Sequence, residues 1–193
     1  MIRIATEADI RQMLSIYAPY IENTTITFEY TVPTEEAFLE RFRKLTAQFP
    51  WLVWEENGKI LGYAYGSAPF ERDAYRWCAE DSVYLLPEAQ GKGIGTKLCT
   101  TLEKILFYQG YRRIYALITA DNRDSVAFHK KQGYTLRGDF PDAGFKFGRW
   151  IGVIWMDKRA NFVDFPSNFP TPWSSIMHSK QSFFDILDIL SLF

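Results

Sequence analysis

The sequence predicts an α+β fold, with one mixed, mostly antiparallel sheet flanked by helices. Two stretches carry most of that expectation. Residues 51–54 and 60–65 are β-forming runs on either side of Asn57-Gly58, a dipeptide suited to a two-residue hairpin turn. Residues 80–109, EDSVYLLPEAQGKGIGTKLCTTLEKILFYQ, read as a strand, a glycine-rich turn and a helix. Val83, Tyr84, Leu85 and Leu86 favour the strand, and Pro87 ends it because proline has no N–H for the ladder. Leu98, Leu102, Ile105, Leu106 and Gln109 then share one helical face, and Gly110 stands where the chain must turn left-handed.

The other elements follow in chain order. Residues 2–5 form a short first strand. Thr6 caps a helix in a capping box with Asp9, and Ile10, Met13, Leu14 and Tyr17 give that helix a buried stripe ending near Pro19. Residues 23–30 mix Thr, Ile and Phe without an assignable period. Pro33-Thr34-Glu35-Glu36 opens a second helix, with acids in its first turn where the dipole favours them. Phe38, Phe42, Leu45 and Phe49 line its inner face as far as Pro50. A polar, aromatic segment at 69–77 leads into the central strand. Beyond the central helix, 113–119 is a buried strand, Asp124 caps a short helix over 125–132, and Gly133 ends it. Residues 134–137 and 150–156 supply two closing strands. The order is β-α-α-β-β-β-α-β-α-β-β.

Composition narrows the function classes. Apolar residues make up 47% of the chain and aromatics 17%, which excludes disorder. A net charge of −1, from 22 basic and 23 acidic residues, leaves no basic excess for nucleic acid and no polybasic cluster for a membrane surface. Cys78 and Cys99 lack metal-ligand spacing and are too few for a disulfide framework, so no metal is expected. Arg3, Glu7 and Asp9 exclude a signal peptide, no apolar run reaches membrane length, and a reducing, cytoplasmic setting follows. Residues 1–160 are expected to form one domain, and 161–193 an arm. Phe165-Pro166, Phe169-Pro170 and Pro172-Trp173 punctuate that arm. Phe183, Ile186, Leu187 and Leu190 then make a helical face, widened by Phe184, Ile189 and Leu192, that must bury on the domain or on a partner subunit.

A strand, a glycine-rich turn and a helix N-terminus together make an anion site. The first N–H groups of the helix lack partners, its dipole is positive there, and glycine lets a phosphate approach the backbone. The spacing excludes a P-loop, since no Gly-Lys-Ser/Thr follows at the required distance. A dinucleotide fingerprint is excluded too, because its third glycine position holds Thr96. What remains is Gln90-Gly91-Lys92-Gly93-Ile94-Gly95, a Q-x-x-G-x-G pattern. It resembles the pyrophosphate loop of the GCN5-related N-acetyltransferases, which hold acetyl-coenzyme A.

The resemblance narrows with TEADI at 6–10, TTITF at 24–28, FPWLV at 49–53, AYRW…EDSVYL at 74–85, FHKKQGY at 128–134 and GFKFGRW at 144–150. In order and separation these look like the phosphinothricin N-acetyltransferase family, over about four fifths of the chain. The resemblance implies acetyl transfer from acetyl-CoA to the α-amine of phosphinothricin, methionine sulfone or methionine sulfoximine, by a homodimer. It places Glu80 on the catalytic base. Val83, Tyr84 and Leu85 would offer backbone to the cofactor arm. Gln90, Gly91, Lys92, Gly93, Ile94, Gly95 and Thr96 would form the pyrophosphate loop, and Asn122 would contact the coenzyme. His129 falls where many superfamily members carry a tyrosine that protonates the departing thiolate. Phe28, Arg72 and Tyr75 match acceptor-pocket positions. Phe70 departs from the pattern, which usually has a basic residue there.

The chemistry sets its own requirements. An amine attacks a thioester only as the free base, so a partly desolvated carboxylate is needed to take its proton. Glu80 and Asp81 alternate on one strand, so only one of them faces the cleft. A backbone N–H near Val83 or Tyr84 can serve the oxyanion if the strand bulges or splays there. His129 titrates near neutrality, whereas His178 in the arm is expected at the surface, and neither cysteine has a base beside it in a motif. Arg72 and Arg76 favour an acceptor bearing a carboxylate. A polyamine, aminoglycoside or protein N-terminal acceptor, and a non-catalytic acetyl-CoA sensor, are the alternatives.

Overall fold

The computed structural model describes residues 1–160, 168–179 and the single positions 186 and 188. Along the chain lie β1 (Ile2–Ile4), α1 (Ile10–Asn23), α2 (Glu35–Thr46), β2 (Trp51–Glu56), β3 (Lys59–Ser67) and β4 (Cys78–Leu85). They are followed by α3 (Ile94–Gln109), β5 (Arg113–Thr119), α4 (Arg123–Lys131), β6 (Thr135–Lys146), β7 (Arg149–Arg159) and α5 (Trp173–His178). The strands form one seven-stranded sheet in the order β1-β2-β3-β4-β5-β7-β6. Every neighbouring pair is antiparallel except β4 and β5. That parallel contact covers only Cys78↔Arg113, Ala79↔Ile114 and Glu80↔Tyr115. Beyond it β4 runs on against β3 alone, while β5 stays with β7, so the two strands part.

Each face of the sheet carries its own core. Leu98, Leu102, Ile105 and Leu106 of α3 are fully buried against Ala79, Ile114 and Ala116. On the other face Met13, Ile16 and Ile21 of α1 join Phe38 and Phe42 of α2 over Trp51, Val53 and Tyr63. Residues 51–54 are therefore buried on both sides, which is why they read as an unbroken apolar run. Asn57 and Gly58 turn the β2–β3 hairpin with φ of 50° and 77°. Among the described residues no helix is long and apolar enough to cross a membrane.

Several boundaries differ from the sequence reading, each for a local reason. β4 begins at Cys78, so Glu80 lies within the strand. The helix α4 is capped by Asn122, whose Oδ1 accepts the Ser125 N–H at 3.2 Å, and Asp124 lies in its first turn. The closing strands form one long hairpin about Phe147-Gly148, with φ of 50° and 75°. The expected face of Phe183, Phe184, Leu187, Ile189, Leu190 and Leu192 lies outside the described residues; Ile186 within it is buried.

The helix α1 does not end at Pro19 but continues to Asn23. Its last turn is held from across the molecule. The Lys146 ammonium, on β6, donates to the carbonyls of Ile21 (2.8 Å), Thr24 (2.9 Å) and Thr27 (2.8 Å). A cation belongs at a helix C-terminus, and here it also pins the loop that carries Phe28. Phe28 in turn lies on Gly144, where a Cβ would come within 2.4 Å of its ring. Lys146→Met keeps the length and removes the donors, leaving three carbonyls to find water. We expect a loss of about 2–3 kcal/mol in urea unfolding, with faster amide exchange over residues 24–29. An unchanged midpoint would mean that the ammonium does not hold this corner.

Candidate active site

The notch between β4 and β5 exposes backbone that a partner strand would otherwise cover. The Tyr20 hydroxyl, reaching from α1, donates to the Leu85 carbonyl at 2.6 Å and accepts the Leu85 N–H at 3.4 Å. Leu85 therefore points its polar groups away from β3, and Leu86 points its N–H back toward β3, onto Leu61. Strand alternation gives Val83 the orientation of Leu85 and gives Tyr84 the opposite one. Of the three expected backbone contacts, Val83 and Leu85 face the notch. Tyr84 places its ring among Tyr17, Tyr20 and Tyr63 instead.

The glycine loop lies just past this edge. Gly91 and Gly93 have φ of 72° and 79°, conformations that a side chain would strain, and nothing lies within 4 Å of where their Cβ atoms would be. Gly93 opens α3, so the first N–H groups after it have no helical partners. Gly95 serves differently: it is buried, and a Cβ there would lie 3.2 Å from the Leu85 side chain. Ile94 is likewise buried as an anchor, while Gln90, Lys92 and Thr96 are exposed. The Gln90 amide lies 3.4 Å from the Tyr20 hydroxyl and joins loop to notch. An unpaired strand edge and an open helix N-terminus fit an extended ligand ending in phosphates.

Glu80 is the last residue of β4 paired with β5. Burial, and secondarily the neighbouring Asp81, push its carboxyl up to about 7. Among the described residues no charged side chain offsets this shift. Asp81, on the opposite face, is fully buried and meets His129 Nε2 at 3.3 Å. His129 Nδ1 lies 2.8 Å from the Ser125 carbonyl, so both ring nitrogens face acceptors. Burial alone would lower the imidazole pKa, but the hydrogen bond and charge of Asp81 outweigh it and raise it. His129 lies behind β4 from Glu80. Cys99 extends this network to Asp81 (3.6 Å) and Glu103 (3.5 Å), and Lys158 meets Glu103 at 2.5 Å. Chain spacing did not foresee that Asp81, Cys99 and His129 bring ligand-type atoms within 4.8 Å of one another. Burial and these carboxylates raise the Cys99 thiol well above its ordinary range, which suits a hydrogen-bond donor and not a nucleophile.

A cleft of about 570 Å³ is lined by Cys78, two residues before Glu80 on β4, and by Phe70, Arg72 and Tyr75. Phe70 meets Tyr75 tilted at 4.6 Å and Tyr115, the strand partner of Glu80, edge-on at 5.6 Å. Phe70 thus fills with an aromatic ring the position where a basic residue was expected. Two of the expected acceptor residues, Arg72 and Tyr75, therefore share a cavity. Asn122 lines a separate cleft of about 370 Å³ with Thr24, Ile26 and Arg149. Phe28 belongs to the loop at that end. His178 is exposed and bonds within α5. Sequence patterning singled out neither Tyr20 nor Lys146, whose roles depend on contacts 65 and more residues away.

A family model described as an acetyltransferase (GNAT) domain matches residues 2–155. The phosphinothricin N-acetyltransferase of Streptomyces viridochromogenes is 37% identical over 152 residues, covering 79% of this chain and 83% of that protein. The L-methionine sulfoximine/L-methionine sulfone acetyltransferase of Salmonella typhimurium is 33% identical over 159 residues, covering 82% and 93%. The structure of a Sinorhizobium meliloti phosphinothricin acetyltransferase in complex with AcCoA superposes with a TM-score of 0.81 at 37% identity, over 89% of this chain and 92% of that one.

The pH behaviour of Glu80 follows from its surroundings. The folded chain holds this proton up to about pH 7, and the unfolded chain releases it near 4.5, so folding stability falls as pH climbs through that window. Glu80→Gln cannot ionise and should be relatively more stable than wild type above pH 7.5 in melting experiments. A parallel pH dependence for the two proteins would show that Glu80 titrates normally.

Proposed function

The chain belongs to the GNAT acetyltransferase family and is an acetyl-CoA-dependent N-acetyltransferase; we propose that its acceptor is a small amino-acid-like amine of the phosphinothricin, methionine sulfone or methionine sulfoximine type. One observation carries this reading. Glu80 stands where β4 and β5 part, and Cys78, two residues before it on the same strand, lines the cleft that holds Arg72. Asp73 is taken by Arg76 at 2.7 Å, and among the described residues no carboxylate pairs with Arg72. An unpaired guanidinium supports a carboxylate- or phosphinate-bearing acceptor over a polyamine.

Bound acetyl-CoA supplies an activated thioester carbonyl. In our assignment Gln90, Gly91, Lys92, Gly93, Ile94, Gly95 and Thr96 seat its pyrophosphate, with Ile94 and Gly95 acting through their backbone. Val83 and Leu85 offer N–H and C=O groups along its arm, and the Val83 N–H faces the developing oxyanion. Glu80 takes the proton of the acceptor ammonium; a carboxylate with its pKa near 7 is matched to that task. His129 lies behind β4 with its ring nitrogens on Asp81 and the Ser125 carbonyl, so in this assignment it supports Asp81 and the departing thiolate takes its proton from solvent. Asn122, on the separate cleft, and Phe28, on the loop at that end, take no step in this assignment. Exposed Leu136, Phe140, Phe145 and Trp150 on the edge hairpin β6–β7 support pairing of two copies of this chain.

A thiol-release assay with methionine sulfone, methionine sulfoximine, phosphinothricin, spermidine and an aminoglycoside tests the acceptor class. Turnover is expected with the first three, and turnover with spermidine alone would overturn the reading. The rate should rise with pH through about 7 as Glu80 ionises, and Glu80→Gln should lose that limb and about 10²–10⁴-fold in kcat. In Gly93→Val, a branched side chain at φ 79° in front of the helix should abolish measurable acetyl-CoA binding by calorimetry while the fold persists. Arg72→Ala should raise KM for methionine sulfone by about ten- to a hundredfold and change kcat less, since a ground-state contact is uniform binding. An unchanged KM would return Arg72 to the surface.

A further inference from the structure

The cleft lined by Cys78 and Arg72 has a wall that comes from beyond β7. Phe70, Arg72 and Tyr75 line one side, and Phe169, Pro170, Thr171 and Pro172 line the other. This part of the arm is fixed in place. The Thr171 N–H donates to the Gln109 carbonyl at 2.8 Å. The buried Gln109 amide answers with bonds to the Gln48 and Thr171 carbonyls, both at 2.9 Å. Trp173 is 3% exposed and donates its N–H to Gln48 at 3.1 Å. Pro170 and Pro172 restrict the backbone between these anchors.

On that rigid strap Phe169 is 57% exposed. Its ring is not loose: it stacks on Trp77 at 5.1 Å, and the Arg76 guanidinium lies 4.9 Å from its centroid. The Trp77 indole N–H donates to the Asn168 carbonyl at 3.0 Å, which fixes the residue before it. An apolar ring is thus held in position over a cleft whose volume lies within the range of small-molecule sites, about 300–1,000 Å³. Five aromatic residues, Phe49, Phe70, Tyr75, Tyr111 and Phe169, line it with Arg72, Glu71 and the Asp73–Arg76 pair, and the Arg72 guanidinium among them suits an apolar group next to a carboxylate.

We propose that the arm completes the acceptor site. Phe169, with Phe70 and Tyr75, receives the apolar side chain of an α-amino acid whose carboxylate is held by Arg72. This rests on the acceptor class proposed above and adds that the residues after the acetyltransferase domain select among its members. Phe169 is a specificity-determining residue. It has no part in proton transfer or in holding acetyl-CoA.

The test uses the full chain carrying Phe169→Ala, with Phe169→Tyr as the conservative variant. Steady-state kinetics are measured with methionine sulfone and phenylalanine, whose side chains reach the subsite, and with alanine, whose side chain does not. In Phe169→Ala, KM for the two larger acceptors should rise by about tenfold, with KM for alanine and for acetyl-CoA unchanged. Phe169→Tyr should restore the wild-type preference. Equal changes for all acceptors, or none, with the wild type active on methionine sulfone, would overturn the role of the arm alone. A wild type that turns over no carboxylate-bearing acceptor would overturn the acceptor class as well. Because the ring is exposed, melting curves of the variants should overlay the wild type; a shared drop in stability with acceptor-independent kinetics also counts against the proposal.

Discussion

The parting of β4 from β5 after Glu80 is the constraint on which the rest of the molecule depends. Strands in a parallel pair satisfy each other's N–H and C=O groups, and stopping after three residue pairs leaves a polar edge inside an apolar frame. Such an edge persists only where something occupies it. The Tyr20 hydroxyl does so at Leu85, and an extended ligand with amide groups would do so along the whole notch. The same fork decides where α3 begins. Gly95 lets the helix close onto Leu85, so the glycine loop and the open edge point at one space.

Strand alternation then separates two carboxylates that are adjacent in sequence. Asp81 lies behind the sheet with a histidine partner, in a network where His129 and Lys158 face Asp81 and Glu103. Glu80 lies in front, where burial and the Asp81 charge raise its pKa and, among the described residues, no cation offsets them. The two carboxylates thus meet different surroundings without any change of residue type. A neutralised back face is what allows an acid to be kept reactive on the front one.

Much of this was legible from local pattern. The helical face of α3, the Asn57-Gly58 turn and the left-handed Gly110 all depend on neighbours within a few residues. What escaped depends on distant contacts. The continuation of α1 past Pro19 rests on an ammonium 125 residues from Ile21, and periodicity carries no trace of it. The length of the β6–β7 hairpin was hidden because β6 is largely exposed and its pairing is interrupted by bulges, so no alternation marks it. His129 was found as a titratable group, but its pairing with Asp81 required the sheet to bring α4 behind β4. Asn122 was singled out as a ligand contact, and the structure also gives it a cap to make.

The hydrogen bonds from the arm also bear on how the molecule is made. Ala47 and Gln48, at the end of α2, and Gln109, at the end of α3, direct backbone or amide groups toward residues 171–174. Until those residues leave the ribosome, the ends of both helices remain exposed to water and the core under α3 lacks Trp173 and Ile176. A nascent chain translated as far as β7 therefore holds a complete sheet with an unsealed end. Synthesis from the N-terminus places this sealing after the sheet is complete.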